Sequence, residues 1–548
     1  MAIGLASCGS GESSGSGGGS GDASSVTIAQ ASQPDFLDPA LSYTIHGWEP
    51  MWTTYMPLLT YKREEGEARS ELMPGLAEAM PEVSDGGATY ELTLRKGLKY
   101  SNGTPVKAGD FEHAIKRVLN LESGATPYYL VIEGAEKYLA DGNADADIPG
   151  IVTDDKTGEI TINLTEPESA FPFVLAMNFS ALVPGDSPFE NMSKEPAPGV
   201  GPYMFTKVVP NREFVLETNP NFDENTVPGV PVANIGTVKT VINPSVSRQT
   251  QEVIDNKLDF MQEPVAPDFI SEVLERFGPE GTEEQRYKEF TTLSMYYFFL
   301  NSRIPPFDDP KVREAVNIGL DKPALARLFA GTLEPGCSFL PPDMPGYSES
   351  LDSGECPWGD PHGAPHLAKA QQMIKEAGAE GAKVTVWGDN VDPTPKVTQA
   401  YADQLNQMGL DAEPKIVDGG VYFQTIGNES TGAQTGFLNW FGDFPHPSNF
   451  FFLVNGESIQ PTNNQNMSNV DDPHINKELK ALGREPDLDA VTDRWEALNE
   501  YLIDKAYLAP YGYRKLSTFV SDRIDFENCT QINPVIYNDY SRWCLKDK

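Results

Sequence analysis

No run of eighteen or more apolar residues occurs in the 548-residue chain, so no segment of it reads as a membrane-spanning helix. Basic residues are scarce: 41 Lys and Arg stand against 80 Asp and Glu, a formal charge of -39, and no basic cluster could neutralise a row of phosphates. That balance excludes nucleic acid as a partner and fits the solvated acidic surface of an exported protein. Histidines number only six, and the one close pair, His362 and His366, is interrupted by Gly363 and Pro365, which disfavour a shared helical face. No metal site is expected from them. Enzyme signatures are missing as well. Gly11-Glu12-Ser13-Ser14-Gly15 has the spacing of a nucleophile elbow but lies in a Gly/Ser tract with no strand before it or helix after it. Gly199-Val200-Gly201 lacks the third glycine of a dinucleotide loop, since Met204 stands there, and neither H-E-x-x-H nor G-x-x-x-x-G-K occurs. No catalytic residue and no cofactor is expected.

Cysteine is sparse too, with five in all, but its placement is informative. Leu5-Ala6-Ser7-Cys8 resembles a bacterial lipobox, and 14 of the 17 residues from Gly9 to Ser25 are Gly or Ser, a flexible tether. The resemblance implies a lipid on the Cys8 thiol that holds the protein at a membrane surface. Seven residues before Cys8 are too few for a charged region and an apolar region, so the expectation is a signal peptide that begins upstream of Met1. The other four cysteines form two local pairs, Cys337 with Cys356 and Cys529 with Cys544, neither at C-x-x-C spacing. Two structural disulfides are expected in an exported chain, although four cysteines allow three connectivities and the sequence leaves all of them open.

At 548 residues the chain is too long for one hydrophobic core, which stops growing at about 250 to 300 residues, so two or more domains are expected, and a hydrophobic fraction of 39% is ample to build them. Tyr90, Leu92 and Leu94 alternate as a strand does, Asn102-Gly103-Thr104-Pro105 is a turn, and Asp110 is read as the N-cap of a helix whose face is Phe111, Ala114, Ile115 and Val118. Residues 383–387, 395–408 and 410–417 read as strand, helix and strand, with Gly409 ending the helix, a β-α-β unit with parallel pairing. Asp309 before Pro310 starts a helix, and Asp321 with Pro323 starts another that stops near Gly331. The fold class is α/β.

Five stretches in order resemble one family. They are Leu94-Arg95-Lys96-Gly97-Leu98-Lys99-Tyr100 running to Asp110-Phe111; Gly199-Val200-Gly201-Pro202-Tyr203 followed by Leu216 to Phe222; Asn301 and Pro305 to Asp309 running to Gly319-Leu320-Asp321; Trp440 to Pro447; and Ala509-Pro510-Tyr511. Together they are similar to the extracellular solute-binding protein family 5, the oligopeptide, dipeptide and nickel-binding lipoproteins of ABC importers. The resemblance implies a periplasmic-binding-protein-like fold of two lobes with a two-strand hinge, in the large peptide-binder subclass. By analogy, 1–25 is lipobox and tether, 26–291 plus 510–548 the first lobe, with an extra subdomain at 69–193, and 292–509 the second lobe.

What the resemblance implies about the site follows. A peptide receptor needs a carboxylate for the ligand's ammonium and aromatic walls for varied side chains. The aspartate matching Asp443 pairs with the ammonium in peptide-binding relatives; read from the residues alone, Asp443 before Pro445 is equally an Asx-turn residue. Trp440 and Phe444 flank it. Tyr297 and Tyr511 match the two hinge crossings, Tyr43, His46 and Trp48 fall in a segment that lines the cleft in relatives, and Trp387 ends a second-lobe strand near the same mouth. The implied function is capture of a peptide or other small solute by a monomeric, lipid-anchored receptor on the outer face of the cytoplasmic membrane, or in the periplasm, for an ABC permease. An exported hydrolase, an adhesion module, or a receptor for sugars, opines or metal chelates are the alternatives.

Overall fold

The computed structural model of the protein describes residues 24–64 and 66–546. Cys8 and nearly all of the Gly/Ser tract lie outside the described residues. Among the described residues no helix is long and apolar enough to cross a membrane.

The largest sheet has twelve strands. In chain order they are β1 (Ser25–Gln30), β2 (Tyr203–Val209), β3 (Glu213–Thr218), β4 (Thr237–Ile242), β5 (Phe260–Met261), β6 (Tyr287–Thr291), β7 (Ser294–Leu300), β8 (Leu333–Glu334), β9 (Lys383–Asp389), β10 (Asp411–Val417), β11 (Thr435–Phe441) and β12 (Leu508–Val520). Across the sheet the order is β10-β9-β11-β7-β12-β5-β1-β4-β3-β2, with β6 and β8 also paired to β12. The 13-residue β12 is the common member: β6 pairs antiparallel with its later half (Tyr287 opposite Phe519), and β7 with its earlier half (Tyr297 opposite Pro510). The aromatic run Tyr296-Tyr297-Phe298-Phe299 is buried throughout because β7 lies between β11 and β12 and both its faces are covered.

The β-α-β unit is present. β9 and β10 pair in parallel from Lys383 opposite Asp411, the helix between them runs Thr394–Met408, and Gly409 closes it at φ +107°, where a side chain would be strained. Asp309 caps its helix by accepting the N–H of Lys311 at 2.9 Å, and Asp321 caps the next by accepting that of Ala324 at 2.8 Å. That second helix, Lys322–Arg327, ends before Gly331, and a turn covers the interval.

One cap is assigned differently by the structure. The helix after the Asn102-Gly103 turn is Gly109–Asn120, so Asp110 lies inside its first turn. Its carboxylate reaches back to the N–H of Lys107 (2.9 Å), and also accepts from Gly185 N–H (3.0 Å) and Tyr100 Oη (2.8 Å). The residue is a tertiary tie, a role that local spacing does not reveal. The helix packs by Phe111, Ile115 and Val118 beside a four-stranded antiparallel sheet of Glu82–Ser84, Thr89–Thr93, Glu159–Asn163 and Ile151–Thr153. Gly199 and Gly201 of the second motif sit against the end of helix Ile45–Thr54, where a Cβ would meet the carbonyls of Thr54 and Thr53 at 2.1 and 2.3 Å.

Both local disulfides are formed, Cys337 with Cys356 (Cα–Cα 6.2 Å) and Cys529 with Cys544 (5.6 Å).

Candidate functional site

A cavity of about 800 Å³ lies beside the junction of β7, β11 and β12. Its walls come from distant parts of the chain: the start of helix Ile45–Thr54, the end of β11 with the loop after it, β12, and a C-terminal segment that contributes Val535 and Tyr537. Six of the nine sequence-predicted ligand residues line it: Tyr43, His46, Trp48, Tyr297, Trp440 and Asp443. Aromatic and aliphatic side chains dominate the lining, and its acidic and basic side chains are Asp443, His46 and Arg514.

Asp443 is built into the wall. Gly442 N–H donates to Leu293 carbonyl at 2.6 Å, and a Cβ on Gly442 would stand 3.1 Å from Phe450 and 3.3 Å from Leu293, tight enough that both neighbours would have to give way. Asn449 then organises the loop. Its Oδ1 accepts from Trp440 Nε1 (3.1 Å) and Asp443 N–H (2.9 Å), which fixes the amide orientation, and its Nδ2 points at Asp443 Oδ2 (3.4 Å) and Tyr128 Oη (3.3 Å). Tyr128 Oη donates to the same carboxylate oxygen. The Asp443 carboxyl is thus engaged across the fold, 315 residues away in sequence, and does not bond its own backbone as an Asx-turn residue would. Burial pushes its pKa up, and the hydrogen bonds from Tyr128, Asn449 and Tyr43 pull it back down.

Opposite, His46 Nε2 meets Glu263 at 3.1 Å, and Trp48 Nε1 donates to Ser42 carbonyl at 2.7 Å, leaving its ring against Tyr43 and Phe179. Beneath them Glu49 is fully buried and accepts from Tyr540 Oη (2.6 Å), Asn538 Nδ2 (2.8 Å) and Gln262 Nε2 (2.9 Å). Burial raises its pKa to about 7 against these hydrogen bonds. Glu49 and a buried Arg63–Asp539 ion pair hold the segment between Cys529 and Cys544 in place, so that Val535 and Tyr537 face the cavity. His446, on the other side, is fully buried between Phe173 and Trp495, and burial pushes it down to about 3, so it is neutral.

Three expected residues are elsewhere. Tyr511 is buried and stacks on Phe298 (4.8 Å, 24°), inside the aromatic core of β7 and β12. Trp387 lies under Lys415 Nζ (3.9 Å) at the β9–β10 edge. Phe444 turns away from the cavity to Phe173 and Tyr128 and lines a separate cavity of about 340 Å³. Packing at those positions needs an aromatic ring, and the sequence does not tell a core ring from a cleft ring. Sequence reasoning missed Tyr128, Asn449, Arg514 and Tyr537. A basic residue that ends the apolar run Leu508 to Tyr513 was a readable signal for Arg514; Tyr128 and Tyr537 had none.

With this geometry in place, comparison with known proteins becomes specific. The family model "Bacterial extracellular solute-binding proteins, family 5 Middle" matches residues 71–461. The "Dipeptide-binding protein DppE" of Bacillus subtilis (strain 168) is 22% identical over 504 residues, 89% of this chain and 87% of its own length. The "Oligopeptide-binding protein OppA" of the same organism is 24% identical over 468 residues, 83% and 82% of the two chains. Among solved structures, "Clavulanic acid biosynthesis oligopeptide binding protein 2" superposes with a TM-score of 0.83 at 24% identity over 95% of both chains, a likeness of fold. The matched span covers most of the chain and takes in β7, β11 and the Asp443 loop, and on that ground the protein belongs to the bacterial extracellular solute-binding proteins of family 5.

Proposed function

We propose that the protein captures short peptides outside the cytoplasmic membrane and delivers them to an ABC permease, without catalysing any reaction on them. The observation that carries this is the cavity itself: an aromatic enclosure of about 800 Å³ with one carboxyl, Asp443, held in its wall by Tyr128 and Asn449. Rings accept varied side chains, and a desolvated carboxylate is the group an α-ammonium requires. Relatives named for dipeptides and oligopeptides support the peptide class.

In this reading the first lobe is 26–291 plus 510–548, with 69–193 as its extra subdomain, and the second is 292–509. The Tyr128–Asp443 bond then joins the two and belongs to the closed state that a permease recognises. Cys8 carries a lipid anchor and the receptor acts as a monomer. The test is a screen of short peptides by thermal shift, with small-angle scattering on the hits. Binding is expected to raise the melting temperature by mass action and to compact the molecule. No stabilisation by any peptide, with no cargo in the purified protein, would overturn the reading; product formation from a bound peptide would favour a hydrolase.

A further inference from the structure

A seam behind the Asp443 loop closes over a histidine. Ser169 N–H donates to the Gly483 carbonyl at 2.8 Å, and Phe173 lies against Phe444 (6.2 Å, 25°). Between these contacts sits His446, 1% exposed, with Phe173 on one side (5.5 Å) and Trp495 on the other (5.7 Å). In the two-lobe reading, Ser169 and Phe173 belong to the extra subdomain, and Phe444, His446, Gly483 and Trp495 to the second lobe. Parting the two would strip one wall from the ring and let water reach it. The ring's immediate partners admit only its neutral form. Ser448 N–H donates to His446 Nδ1 at 3.2 Å, so that nitrogen is an acceptor, and the single proton of the ring sits on Nε2, which faces Ser169 Oγ at 3.5 Å. A second proton on Nδ1 would set one N–H against another.

No carboxylate stands ready to compensate a cation there. The elements packed round the ring carry Glu166 and Glu168 beside Ser169, Asp443 in the same loop, Tyr128 and Glu457 along the seam, Lys480 and Arg484 at the Gly483 end of helix Pro473–Leu482, and Asp493, Arg494 and Glu496 around Trp495. Among the described residues none of these bonds the imidazole: Glu168 accepts the Ala170 N–H (3.1 Å), Asp443 is held by Tyr128 and Asn449, and Arg494 pairs with Glu478 (3.0 Å). A charged ring in the closed seam is therefore desolvated without a partner. Burial alone sets its state, pushing it from 6.5 down to about 3. We propose that His446 is a proton-operated latch: with the ring neutral the seam shuts and the receptor holds its peptide, and with the ring protonated the seam parts and the peptide leaves. This rests on the two-lobe peptide reading above and adds its regulation. With water at the ring the open form regains the ordinary value of 6.5, so between there and pH 3 it holds a proton that the closed form lacks. Closing releases that proton, and closure becomes about tenfold less favourable for each pH unit below 6.5. The closed, peptide-bound form carries the full stability effect of burying this ring; the empty, open form carries little of it.

The experiment is calorimetry at pH 7.5 and 5.0 on the wild type, His446→Asn and His446→Gln, with the short peptide that stabilises the wild type most in the thermal-shift screen. Both variants keep a hydrogen-bonding side chain and neither titrates. From pH 7.5 to 5.0 the wild type is expected to lose about thirtyfold more affinity than either variant. The variants share every other group that titrates in this range, Asp443 and Glu49 among them, so the difference belongs to His446. At pH 5.5, titrations repeated in buffers of different ionisation enthalpy should show the wild type releasing about one proton more per peptide bound than the variants. If neither variant folds, the His446 ring signal in proton NMR of the wild type decides: it should titrate near 6.5 in the empty protein and stay flat down to pH 5 with the peptide bound. Equal acid losses in wild type and variants, or a ring that does not titrate in the empty protein, overturn the latch and leave the peptide reading standing. A wild type that binds no peptide at pH 7.5 overturns both.

Discussion

The loop around Asp443 and the C-terminal segment between Cys529 and Cys544 wall the same cavity, and they are held there by different means. In the loop, Asn449 ties Trp440 and Asp443 within ten residues, and Tyr128, Tyr43 and the Leu293 carbonyl add ties from farther along the chain. In the C-terminal segment, Asn538 and Tyr540 hang on Glu49 and Asp539 on Arg63, partners 476 to 491 positions away, and a disulfide closes the base. A locally tied wall can be read as a motif and perturbed without disturbing the rest. A wall tied through a buried carboxylate depends on the whole first part of the chain, so its stability and its contribution to binding should move together.

The largest expected effect is at the loop. Asp443→Ala should weaken peptide binding by about 2 to 5 kcal/mol, thirtyfold or more, because the ligand's charge is left buried without a partner. Calorimetry measures it. The empty protein should lose less, since burial already opposes the ionised form.

Next is the disulfide pair. Removing Cys529–Cys544 by serine substitution should cost about 3 kcal/mol of stability in the chain-entropy model, as should removing Cys337–Cys356. Affinity should separate them: only the first clips the segment that carries Val535 and Tyr537, so only its loss should also weaken binding. Equal binding by both variants would remove the distinction drawn here.

Buried titrating groups of opposite sign accompany the two walls, Glu49 beneath the C-terminal segment and His446 in the loop. Glu49 is raised from 4.5 to about 7 by burial, so the native state holds a proton that the unfolded chain releases; its contribution is fully present below pH 4.5 and lost as pH rises to 7. His446 is lowered from 6.5 to about 3 by burial, so the unfolded chain binds the extra proton; its contribution is present above pH 6.5 and lost as pH falls toward 3. Between pH 4.5 and 6.5 the two slopes cancel. Relative to wild type, Glu49→Gln should gain stability with rising pH across that window and His446→Asn should lose it, each by about 2 to 3 kcal/mol at 1.4 per unit. Denaturant titrations at stepped pH check both.

The smallest effect is Tyr128→Phe, which removes one hydrogen bond to Asp443 and should cost about 1 kcal/mol of binding. A loss as large as that of Asp443→Ala would show Tyr128 touching the ligand itself.

The same contrast governs what could be read in advance. Caps at Asp309 and Asp321, the Gly409 terminus and the parallel pair around helix Thr394–Met408 are local agreements between turn chemistry and periodicity, and they were legible. The Trp440 to Pro447 motif was legible through family resemblance, and its physical content, the close approach of Gly442 and the service of Asn449, became visible only with coordinates. Asp110 was misread as a cap because its partners, Gly185 and Tyr100, are tertiary. Tyr511, Trp387 and Phe444 show the other limit: an aromatic residue in a strand or turn carries no mark of which face it will present. Tyr537 and Val535 reach the cavity through a buried network spanning almost the full chain, and no window of sequence contains that information.

The central claim, that the cavity takes a peptide by its ammonium at Asp443, is tested most directly by titrating one tight-binding short peptide and its N-acetyl derivative into the wild type and Asp443→Asn. The account predicts that acetylation costs the wild type thirtyfold or more in affinity and costs Asp443→Asn almost nothing further. A wild type that binds the acetylated peptide as tightly as the free one would contradict it.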